Sequence, residues 1–317
     1  MFVARLQGSR IPSEHERMTD PLPTVGFVGT GIMGASMAGH LLEAGYPLHV
    51  FNRTRSKADP LLATGAVWCD SAEEVAASAE IVITIVGMPA DVEEVYFGRD
   101  GQGGVIAAAR PGTLLIDMTT SSPGLAERIA TAAAERGLLA VDAPVSGGDV
   151  GARNATLVIM AGGEEAAFKR ALPLFELMGK SITRLGPAGA GQRCKLANQV
   201  AVAVGMVAWC EALAHAEAGG LDPSLVQQVI AGGAAGSWAM TNLAPRALAG
   251  DFGPGFLVRH LVKDIRIARE AADETGTELP GLTVAEQLYG MLAESGGGEL
   301  GTQGLLQLYR DADETDG

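Results

Sequence analysis

The sequence predicts an α/β domain built on a mostly parallel sheet, followed by a second domain made only of α-helices. From position 24 to about 186, short apolar runs rich in β-branched residues alternate with segments of helical apolar spacing. After about Gly186 the strand pattern stops and only helical patterns remain. Strands that alternate with helices form βαβ units, so we expect a parallel sheet with helices on both faces.

The predicted strands of the first domain are short runs that are apolar almost throughout, which is typical of strands covered on both faces. These runs are TVGFVG from Thr24, PLHVFN from Pro47, EIVITIV over 80–86, TLLIDM over 113–118, LLAVDAP over 138–144 and TLVIMAG over 156–162. Helical segments such as IMGASMAGHLLEAG, SAEEVAASA and GLAERIATAAAERG separate several of them. We assign residues 24–187 to this domain.

The second domain, residues 188–317, begins with the segment QRCKLANQVAVAVGMVAWCEALAHAEAG, which predicts one helix of about eight turns. Between positions 200 and 208 this helix is apolar on almost every side, so we expect it to be buried all round. Further helices are predicted in SLVQQVIAGG, NLAPRALAG, HLVKDIRIAREAADETG and LTVAEQLYGMLAE. Because a small domain cannot cover such a helix alone, we expect a homodimer or a homotetramer.

Composition and charge argue against several classes of function. The net charge of −14 disfavours nucleic-acid binding. Residues 1–23 mix charges without an apolar segment, so we expect a disordered tail and no signal peptide, and the longest apolar run, near 200–210, is shorter than the ~20 residues of a membrane span. The three cysteines form no CxxC pair and the five histidines form no HExxH, so we expect reduced thiols, no metal and a cytoplasmic location.

A glycine-rich segment lies between the first predicted strand and the first predicted helix. It fits the pattern G-x-G-x-x-G at Gly29, Thr30, Gly31, Ile32, Met33 and Gly34. In this position the pattern is the fingerprint of a Rossmann-type dinucleotide-binding domain, in which the helix N-terminus offers free N–H groups to a pyrophosphate. A plain strand–helix turn is the alternative. We predict that these residues bind a nicotinamide cofactor.

The end of the second predicted strand bears on the choice between NAD and NADP. An acidic residue there would bind the ribose 2′-hydroxyl of NAD, whereas an arginine suits the 2′-phosphate of NADP. The chain has Asn52, Arg53 and Thr54 at this point and no carboxylate before Asp59. The sequence therefore predicts that NADP(H) is preferred over NAD(H), with a solvated basic loop as the alternative.

Two further segments carry candidate substrate groups. Lys195 lies near the start of the long apolar helix, with Asn198 and Gln199 on the same helix face. Charged residues on a buried helix are usually paired or functional, so Lys195 is either a group that polarises a carbonyl acid or part of an interdomain salt bridge. The segment 146–148, Ser-Gly-Gly, follows a strand and suits a carboxylate, or is simply a structural turn.

Taken together, these segments resemble the β-hydroxyacid dehydrogenase family, which includes 3-hydroxyisobutyrate dehydrogenase, tartronate semialdehyde (2-hydroxy-3-oxopropionate) reductase and glyoxylate/succinic semialdehyde reductase. The resemblance runs from about Val25 to Tyr309. It is carried by four segments in order: GFVGTGIMGASMAGHLLEAG, DAPVSGGDVGARNATLVIMAGG, GAGQRCKLANQ and PGFLVRHLVKDIRIA. Their joint occurrence is far more specific than any one of them.

The resemblance implies a role for each matching position. Lys195 matches the catalytic lysine, which is the proton donor or acceptor. The positions that match cofactor contacts are Val86, Met88, Pro89, Thr120 and Lys263. The positions that match substrate contacts are Thr120, Ser146, Gly147, Gly148, Phe256 and Asp264. Many members carry Asn where this chain has Gln199, and many carry Gly at Ala155, so the amide partner of Lys195 is open between Asn198 and Gln199.

The resemblance implies an NAD(P)-dependent oxidoreductase that interconverts a small β-hydroxy acid and its semialdehyde. Its partner would be a small carboxylate-bearing aldehyde or hydroxy acid. We expect desolvation in a closed cleft to lower the pKa of Lys195 towards the range of a general base. Two alternatives stay open: an NADPH-dependent imine reductase, although such enzymes generally lack the lysine, and a non-catalytic protein that senses the nicotinamide redox state.

Overall fold

The computed structural model describes residues 21–101 and 103–314 and confirms the predicted fold class. A domain with a mostly parallel sheet precedes a domain made of helices. The disordered tail predicted over residues 1–23 lies outside the described residues up to position 20, and residues 21–23 carry no regular secondary structure.

The described strands of the first domain form a single sheet in the order β3-β2-β1-β4-β5-β6-β8-β7, with β9 also paired to β8. The strands are β1 (Val25–Val28), β2 (Leu48–Phe51), β3 (Val67–Trp68), β4 (Ile81–Thr84), β5 (Leu114–Asp117), β6 (Leu139–Asp142), β7 (Val145–Ser146), β8 (Leu157–Gly163) and β9 (Gly179–Gly186). Strands β1 to β6 pair in parallel, whereas β8 runs antiparallel to both β6 and β7.

Helices cover both faces of this sheet. They are α1 (Ile32–Glu43), α2 (Asp59–Ala63), α3 (Ala72–Ser78), α4 (Pro89–Phe97), α5 (Gly104–Ala108), α6 (Pro123–Glu135), α7 (Gly148–Arg153) and α8 (Glu165–Glu176). Neighbouring strand residues point to opposite faces. Ile83 and Ile116 accordingly belong to the core cluster on one side, and Val82 and Leu115 to the cluster on the other. Two covered faces explain why the central strands β1, β4 and β5 are buried along their whole length and apolar almost throughout.

The order of the strands reverses between β1 and β4. From β1 the sheet continues through β2 to β3 on one side and through β4 to β6 on the other. Such a switch point opens a crevice at the carboxyl ends of the two strands, and ligands of open α/β sheets bind there. Gly29 follows β1 at this crevice, and the Ile85 amide that follows β4 donates to the Val28 carbonyl at 2.9 Å.

The second domain is helical in its described part. Its helices are α9 (Ala190–Ala218), α10 (Pro223–Ala231), α11 (Trp238–Asn242), α12 (Ala244–Leu248), α13 (Val258–Thr275), α14 (Pro280–Glu294) and α15 (Leu306–Glu314). The single long helix expected from the sequence is present as α9. It packs against α13, α14 and α10, and also against β8 of the first domain, so it joins the two domains.

The expectation that α9 is buried all round is wrong for a single chain, since Ala201 and Ala208 are exposed. Among the described helices, α9 is also the one whose length and composition would allow it to cross a membrane. Its most apolar 18-residue window has a mean hydropathy of 1.4, and 44% of that window is buried. The apolar run near 200–210 noted in the sequence is only part of this 29-residue helix. The central helix of a helical domain has the same composition.

Candidate active site

The glycine-rich loop after β1 is shaped by two close backbone contacts. Gly29 has a φ of +100°, and a Cβ there would lie 2.0 Å from the Ile85 carbonyl oxygen. A Cβ on Gly34 would lie 1.9 Å from the Gly29 carbonyl oxygen. At Gly31, by contrast, no atom lies within 4 Å of where a Cβ would stand. The fold therefore requires the first and third glycines, whereas the second keeps space open at the helix terminus.

The polar groups of this loop fit an anionic dinucleotide. Helix α1 begins at Ile32 without a side-chain cap on Gly31 and without an acidic residue in its first turn. The Thr30 hydroxyl is buried and has no hydrogen-bond partner within the described part of the chain. Free amides, a buried hydroxyl without a partner and the space above Gly31 are what the phosphates of a dinucleotide require. Of the two intervening residues, Ile32 is exposed and Met33 packs against the core.

The end of β2 is tied to this loop by Asn52. Its Oδ1 accepts from the Thr30 amide at 3.0 Å, and its Nδ2 donates to the Thr54 carbonyl at 2.8 Å. The neighbouring Arg53 side chain is 88% exposed and forms an ion pair with Asp91 at 3.3 Å. This pair holds an exposed guanidinium at the end of β2.

Asp91 was not singled out in the sequence, yet it connects two of the predicted cofactor segments. Besides pairing with Arg53, its Oδ2 accepts from the Met88 amide at 3.0 Å. Pro89 follows as the first residue of α4. The capping carboxylate three residues after the helix boundary is a local signal that could have identified it. Arg53 and the Met88–Pro89 segment therefore lie side by side.

Lys195 is the centre of a buried polar network on α9 and α13. Its Nζ donates to Gln199 Oε1 at 2.8 Å, and Gln199 Nε2 donates to Asp264 Oδ2 at 2.6 Å. Asn198 Nδ2 also donates to Gln199 Oε1, at 2.9 Å. Gln199 is therefore the amide partner of Lys195, and Asn198 supports that amide and makes no hydrogen bond to the lysine.

The network continues from α13 to the end of β5. Lys263 Nζ lies 2.9 Å from Asp264 Oδ1, an ion pair that lacks the alignment of a hydrogen bond. The same ammonium donates to the Thr120 carbonyl at 2.9 Å. Lys263 and Asp264 are both buried, so this charged pair lies inside the contact between the two domains, which we call the seam. An unbroken chain of contacts thus connects Lys195 to Thr120.

The environment of Lys195 brings its proton affinity close to neutral pH. Burial lowers the pKa of this ammonium from 10.5 to about 8, since only 6% of the residue is exposed. The negative charge of Asp264 opposes this shift, and the positive charge of Lys263 adds to it. A group with such a pKa can both donate and accept a proton under physiological conditions.

The segment predicted to hold a carboxylate lies on β7 and at the start of α7. Ser146 ends β7, while Gly147 and Gly148 have φ values of +128° and +62°, which favour glycine. Helix α7 is fixed to the cofactor helix α1, because His40 Nε2 donates to the Ala152 carbonyl at 2.9 Å. Among the described residues, no hydrogen bond joins this segment to the Lys195 network.

Phe256 also stands apart from that network. It precedes α13, its ring lies 6.3 Å from that of His260, and its carbonyl accepts from the Thr302 amide at 2.9 Å.

The three cysteines are unpaired. Within the described residues, no group of three or more His, Cys, Asp or Glu side chains could hold a metal ion.

Sequence reasoning missed two buried residues that join the domains, Asp142 and Gln192. The Asp142 carboxylate accepts from the Gly189 amide at 2.8 Å and from the Gln192 amide at 2.9 Å, so it caps the start of α9. The Gln192 side chain contacts the backbone after β5. Its position three residues before Lys195, on the same helix face, is the signal that could have revealed it.

Comparison with known protein families matches both domains. Residues 24–186 match the model described as the NAD binding domain of 6-phosphogluconate dehydrogenase. Residues 189–309 match the model described as NAD-binding of NADP-dependent 3-hydroxyisobutyrate dehydrogenase. The two matches cover nearly all of the described chain.

Individual relatives agree with these models. The chain is 51% identical to an uncharacterized oxidoreductase of Bacillus subtilis, over 90% of this chain and 98% of that one. It is 41% identical to the 2-hydroxy-3-oxopropionate reductase of Escherichia coli, over 89% and 96% of the two chains. The structure of 3-hydroxyisobutyrate dehydrogenase with L-serine from Mycobacterium tuberculosis superposes with a TM-score of 0.83 at 35% identity, over 91% and 99%.

An imine reductase from Pseudomonas sp. shares the fold more distantly, with a TM-score of 0.57 and 21% identity over 90% of this chain and 99% of that one. Both family models name dehydrogenases, and the E. coli and M. tuberculosis relatives are named as a 2-hydroxy-3-oxopropionate reductase and a 3-hydroxyisobutyrate dehydrogenase. The chain therefore belongs to the β-hydroxyacid dehydrogenase family of NAD(P)-dependent oxidoreductases that act on CH–OH groups.

Proposed function

We propose that this enzyme interconverts a small β-hydroxy acid and its semialdehyde, with Lys195 as the proton donor in reduction and the proton acceptor in oxidation. The observation that carries the proposal is the buried Lys195 ammonium, whose pKa is lowered to about 8. Through Gln199, Asp264 and Lys263 it is connected to the backbone at the carboxyl end of β5. That edge of the sheet is where ligands of this fold bind.

The proposed proton transfer follows from the charge and contacts of Lys195. When bound, the nicotinamide supplies the hydride for reduction or receives it in oxidation. In reduction, negative charge develops on the substrate's carbonyl oxygen, and the Lys195 ammonium stabilises that charge and donates its proton. In oxidation, the neutral Lys195 amine accepts the hydroxyl proton. The hydrogen bond to Gln199 fixes the direction of Nζ in both cases.

We place the substrate carboxylate on the segment Ser146–Gly148. A Cβ at Gly148 would meet no atom within 4 Å, so there is open space beside this residue. The E. coli relative is named for 2-hydroxy-3-oxopropionate and the M. tuberculosis structure contains L-serine. In both molecules the oxygen-bearing carbon C3 lies two carbons from the carboxylate carbon. This spacing defines the substrate class that we propose here.

We also propose that NADP(H) is preferred over NAD(H). Arg53 supports this, because its guanidinium is exposed at the end of β2 while its ion pair with Asp91 holds it beside the start of α4. Arg53→Ala should raise the KM for NADPH and leave the KM for NADH nearly unchanged. A clear preference of the unchanged enzyme for NADH would contradict the proposal.

The full-length enzyme tests the proposed reaction directly. It is assayed by nicotinamide absorbance with 2-hydroxy-3-oxopropionate, methylmalonate semialdehyde, succinate semialdehyde and a cyclic imine, and in the reverse direction with 3-hydroxyisobutyrate and L-serine. We expect turnover of 2-hydroxy-3-oxopropionate, methylmalonate semialdehyde, 3-hydroxyisobutyrate and L-serine, whose reacting carbon is C3. We expect weaker turnover of succinate semialdehyde, whose aldehyde is at C4, and none of the imine. Turnover of the imine alone, or cofactor binding without turnover of any compound, would overturn the proposal.

A further inference from the structure

The turn after β5 is held by side chains of the second domain. Gln192 is fully buried; its Oε1 accepts from the Ser121 amide at 2.9 Å, and its Nε2 donates to the Thr119 carbonyl at 2.7 Å. The carbonyl between these two groups, that of Thr120, accepts from Lys263 Nζ. Three consecutive residues of the first domain are therefore bound to α9 and α13.

Gln192 is itself held in a tightly packed seam. Its backbone amide donates to Asp142 at the end of β6. A Cβ on the neighbouring Gly191 would lie 2.3 Å from the Met160 carbonyl oxygen, and one on Gly162 would lie 2.7 Å from the Gly191 nitrogen. Neither glycine can carry a side chain without displacing backbone. These close contacts therefore fix the position of the first turn of α9 relative to β6 and β8.

This seam connects the proposed proton donor to the cofactor loops. Lys195 follows Gln192 by three residues and lies on the same face of α9, about one turn further along the helix. On the other side, the Thr119 hydroxyl accepts from the amide of Val86, two residues after the end of β4, at 3.0 Å. The side-chain amide of Gln192 thus links α9, the helix that carries Lys195, to the turn after β5. Through Thr119 this turn also contacts the segment after β4, which borders the cofactor crevice.

We propose that Gln192 is a positioning residue for the reaction, an inference that rests on the proposed function. Through one donor and one acceptor it fixes the Thr119–Ser121 turn against the helix that carries Lys195. A side chain that only fills the same volume would not do this, since the turn presents one N–H and one carbonyl that both need partners. Misplacing a reactive group by about 1 Å can cost a hundredfold in rate.

The variant Gln192→Glu separates hydrogen bonding from packing. The introduced carboxyl has nearly the same shape and accepts from the Ser121 amide in either ionisation state, but it donates to the Thr119 carbonyl only when protonated. Three charged groups bind the backbone next to it: Asp142 accepts from the Gln192 amide, Asp117 accepts from the Thr119 amide, and Lys263 donates to the Thr120 carbonyl. Lower pH should therefore restore the missing donor.

The experiment measures kcat and KM against pH for Gln192→Glu, Gln192→Met and the unchanged enzyme. We expect kcat of Gln192→Glu to be about tenfold to a hundredfold low at high pH and to recover towards the unchanged enzyme as pH falls. Gln192→Met should stay low at every pH, because it cannot donate to Thr119. The KM for the cofactor should change less than kcat.

The matched control is Gln227→Glu on α10. Gln227 is also buried, and its Nε2 donates to the Met240 carbonyl at 2.7 Å, outside the proposed machinery. We expect its pH profile to follow the unchanged enzyme. Equal kcat for all variants at all pH values would overturn the proposal, as would a loss in Gln192→Glu that merely follows thermal unfolding at each pH.

Amide hydrogen exchange gives a second readout that needs no substrate. Exchange in the peptide that contains Ser121 should become faster in Gln192→Met and stay unchanged in Gln227→Glu. Unchanged exchange in Gln192→Met would overturn the positioning role. If the unchanged enzyme turned over none of the compounds, the proposed function would fail, while the exchange result would still report on the contact.

Discussion

At the scale of single residues, two charges on α13 act on Lys195 in opposite directions. Burial is the main cause of its lowered pKa, Asp264 opposes that shift and Lys263 reinforces it. The lysine therefore keeps its proton near neutral pH while remaining able to release it. Removing either charge should change the pKa of Lys195.

Asp264→Asn and Lys263→Met should move the proton affinity of Lys195 in opposite directions. Asp264→Asn keeps an acceptor for Gln199 but removes the negative charge, so the pKa of Lys195 falls further. The alkaline loss of activity in reduction should then occur at lower pH. Lys263→Met removes a positive charge, so the same loss should occur at higher pH.

The measurement is the kcat–pH profile of reduction for both variants beside the unchanged enzyme. Both profiles shifting in the same direction, or neither shifting, would contradict the assignment of this ionisation to Lys195. Cofactor affinity measured at each pH separates these shifts from changes in binding.

The sequence revealed individual site residues where their partners are close to them in the chain. Lys195 and Gln199 share a helix face at a spacing of four residues, which can be read directly. The role of Gln192 could not be read, because its partners are backbone groups of residues 71 and 73 positions away. Backbone partners leave no pattern in the side chains of a single sequence.

At the scale of elements, the glycine loop and α1 form one unit whose glycines have different tasks. Gly29 and Gly34 allow the strand and the helix to approach each other, whereas Gly31 borders open space. Stability and cofactor binding should therefore respond differently to the same substitution at two of these positions.

Gly31→Ala should leave the fold intact and weaken cofactor binding by about tenfold or more, because the methyl group occupies the space that a pyrophosphate needs. Gly34→Ala should destabilise the domain by about 1–3 kcal/mol, since its Cβ collides with a backbone carbonyl. Thermal unfolding and fluorescence titration with NADPH measure the two effects. Equal loss of stability in both variants would contradict this division of tasks.

Most elements were predictable where the apolar pattern matches burial. The missed strands lack that pattern: β3 and β7 have only two residues each, and β9 is largely exposed. The helix predicted in NLAPRALAG is present as α12, with Pro245 in its first turn, and the structure adds the short helix α11 before it. Proline is compatible with the first turn of a helix but not with its interior.

At the scale of the whole molecule, the second domain exposes an apolar surface that a single chain leaves uncovered. We define this surface by Leu225 and Val229 on α10, which are 60% and 76% exposed, and by Ala201 and Ala208 on α9. Helix α10 packs directly against α9. We propose that a second copy of the chain covers this surface, since exposed apolar side chains on neighbouring helices are typical of subunit interfaces.

The prediction is a dimer or tetramer in solution that the double variant Leu225→Asp/Val229→Asp converts to smaller species. Light scattering after size-exclusion chromatography measures the mass. Leu185→Asp on β9 is the matched control, because Leu185 is an exposed apolar residue of the first domain. A monomeric unchanged protein, or an oligomer unaffected by the double variant, would contradict the proposal.

The domain order was predictable because each domain has its own periodicity. The way the domains meet was not, because it depends on buried polar contacts such as those of Asp142 and on glycines that admit no side chain. One of the carboxylates in this seam, Asp117, is buried at the end of β5, and burial raises its pKa to about 7.

Proton transfer by Lys195 can be tested by the pH dependence of reduction and oxidation in the unchanged enzyme and in Lys195→Met. For the unchanged enzyme, reduction should weaken and oxidation should strengthen as pH rises through about 8, the pKa of Lys195. Lys195→Met should lose about 10²–10⁴-fold in kcat and lose this pH dependence, while NADPH still binds. A variant that kept near-normal turnover with the same pH dependence would contradict the assignment.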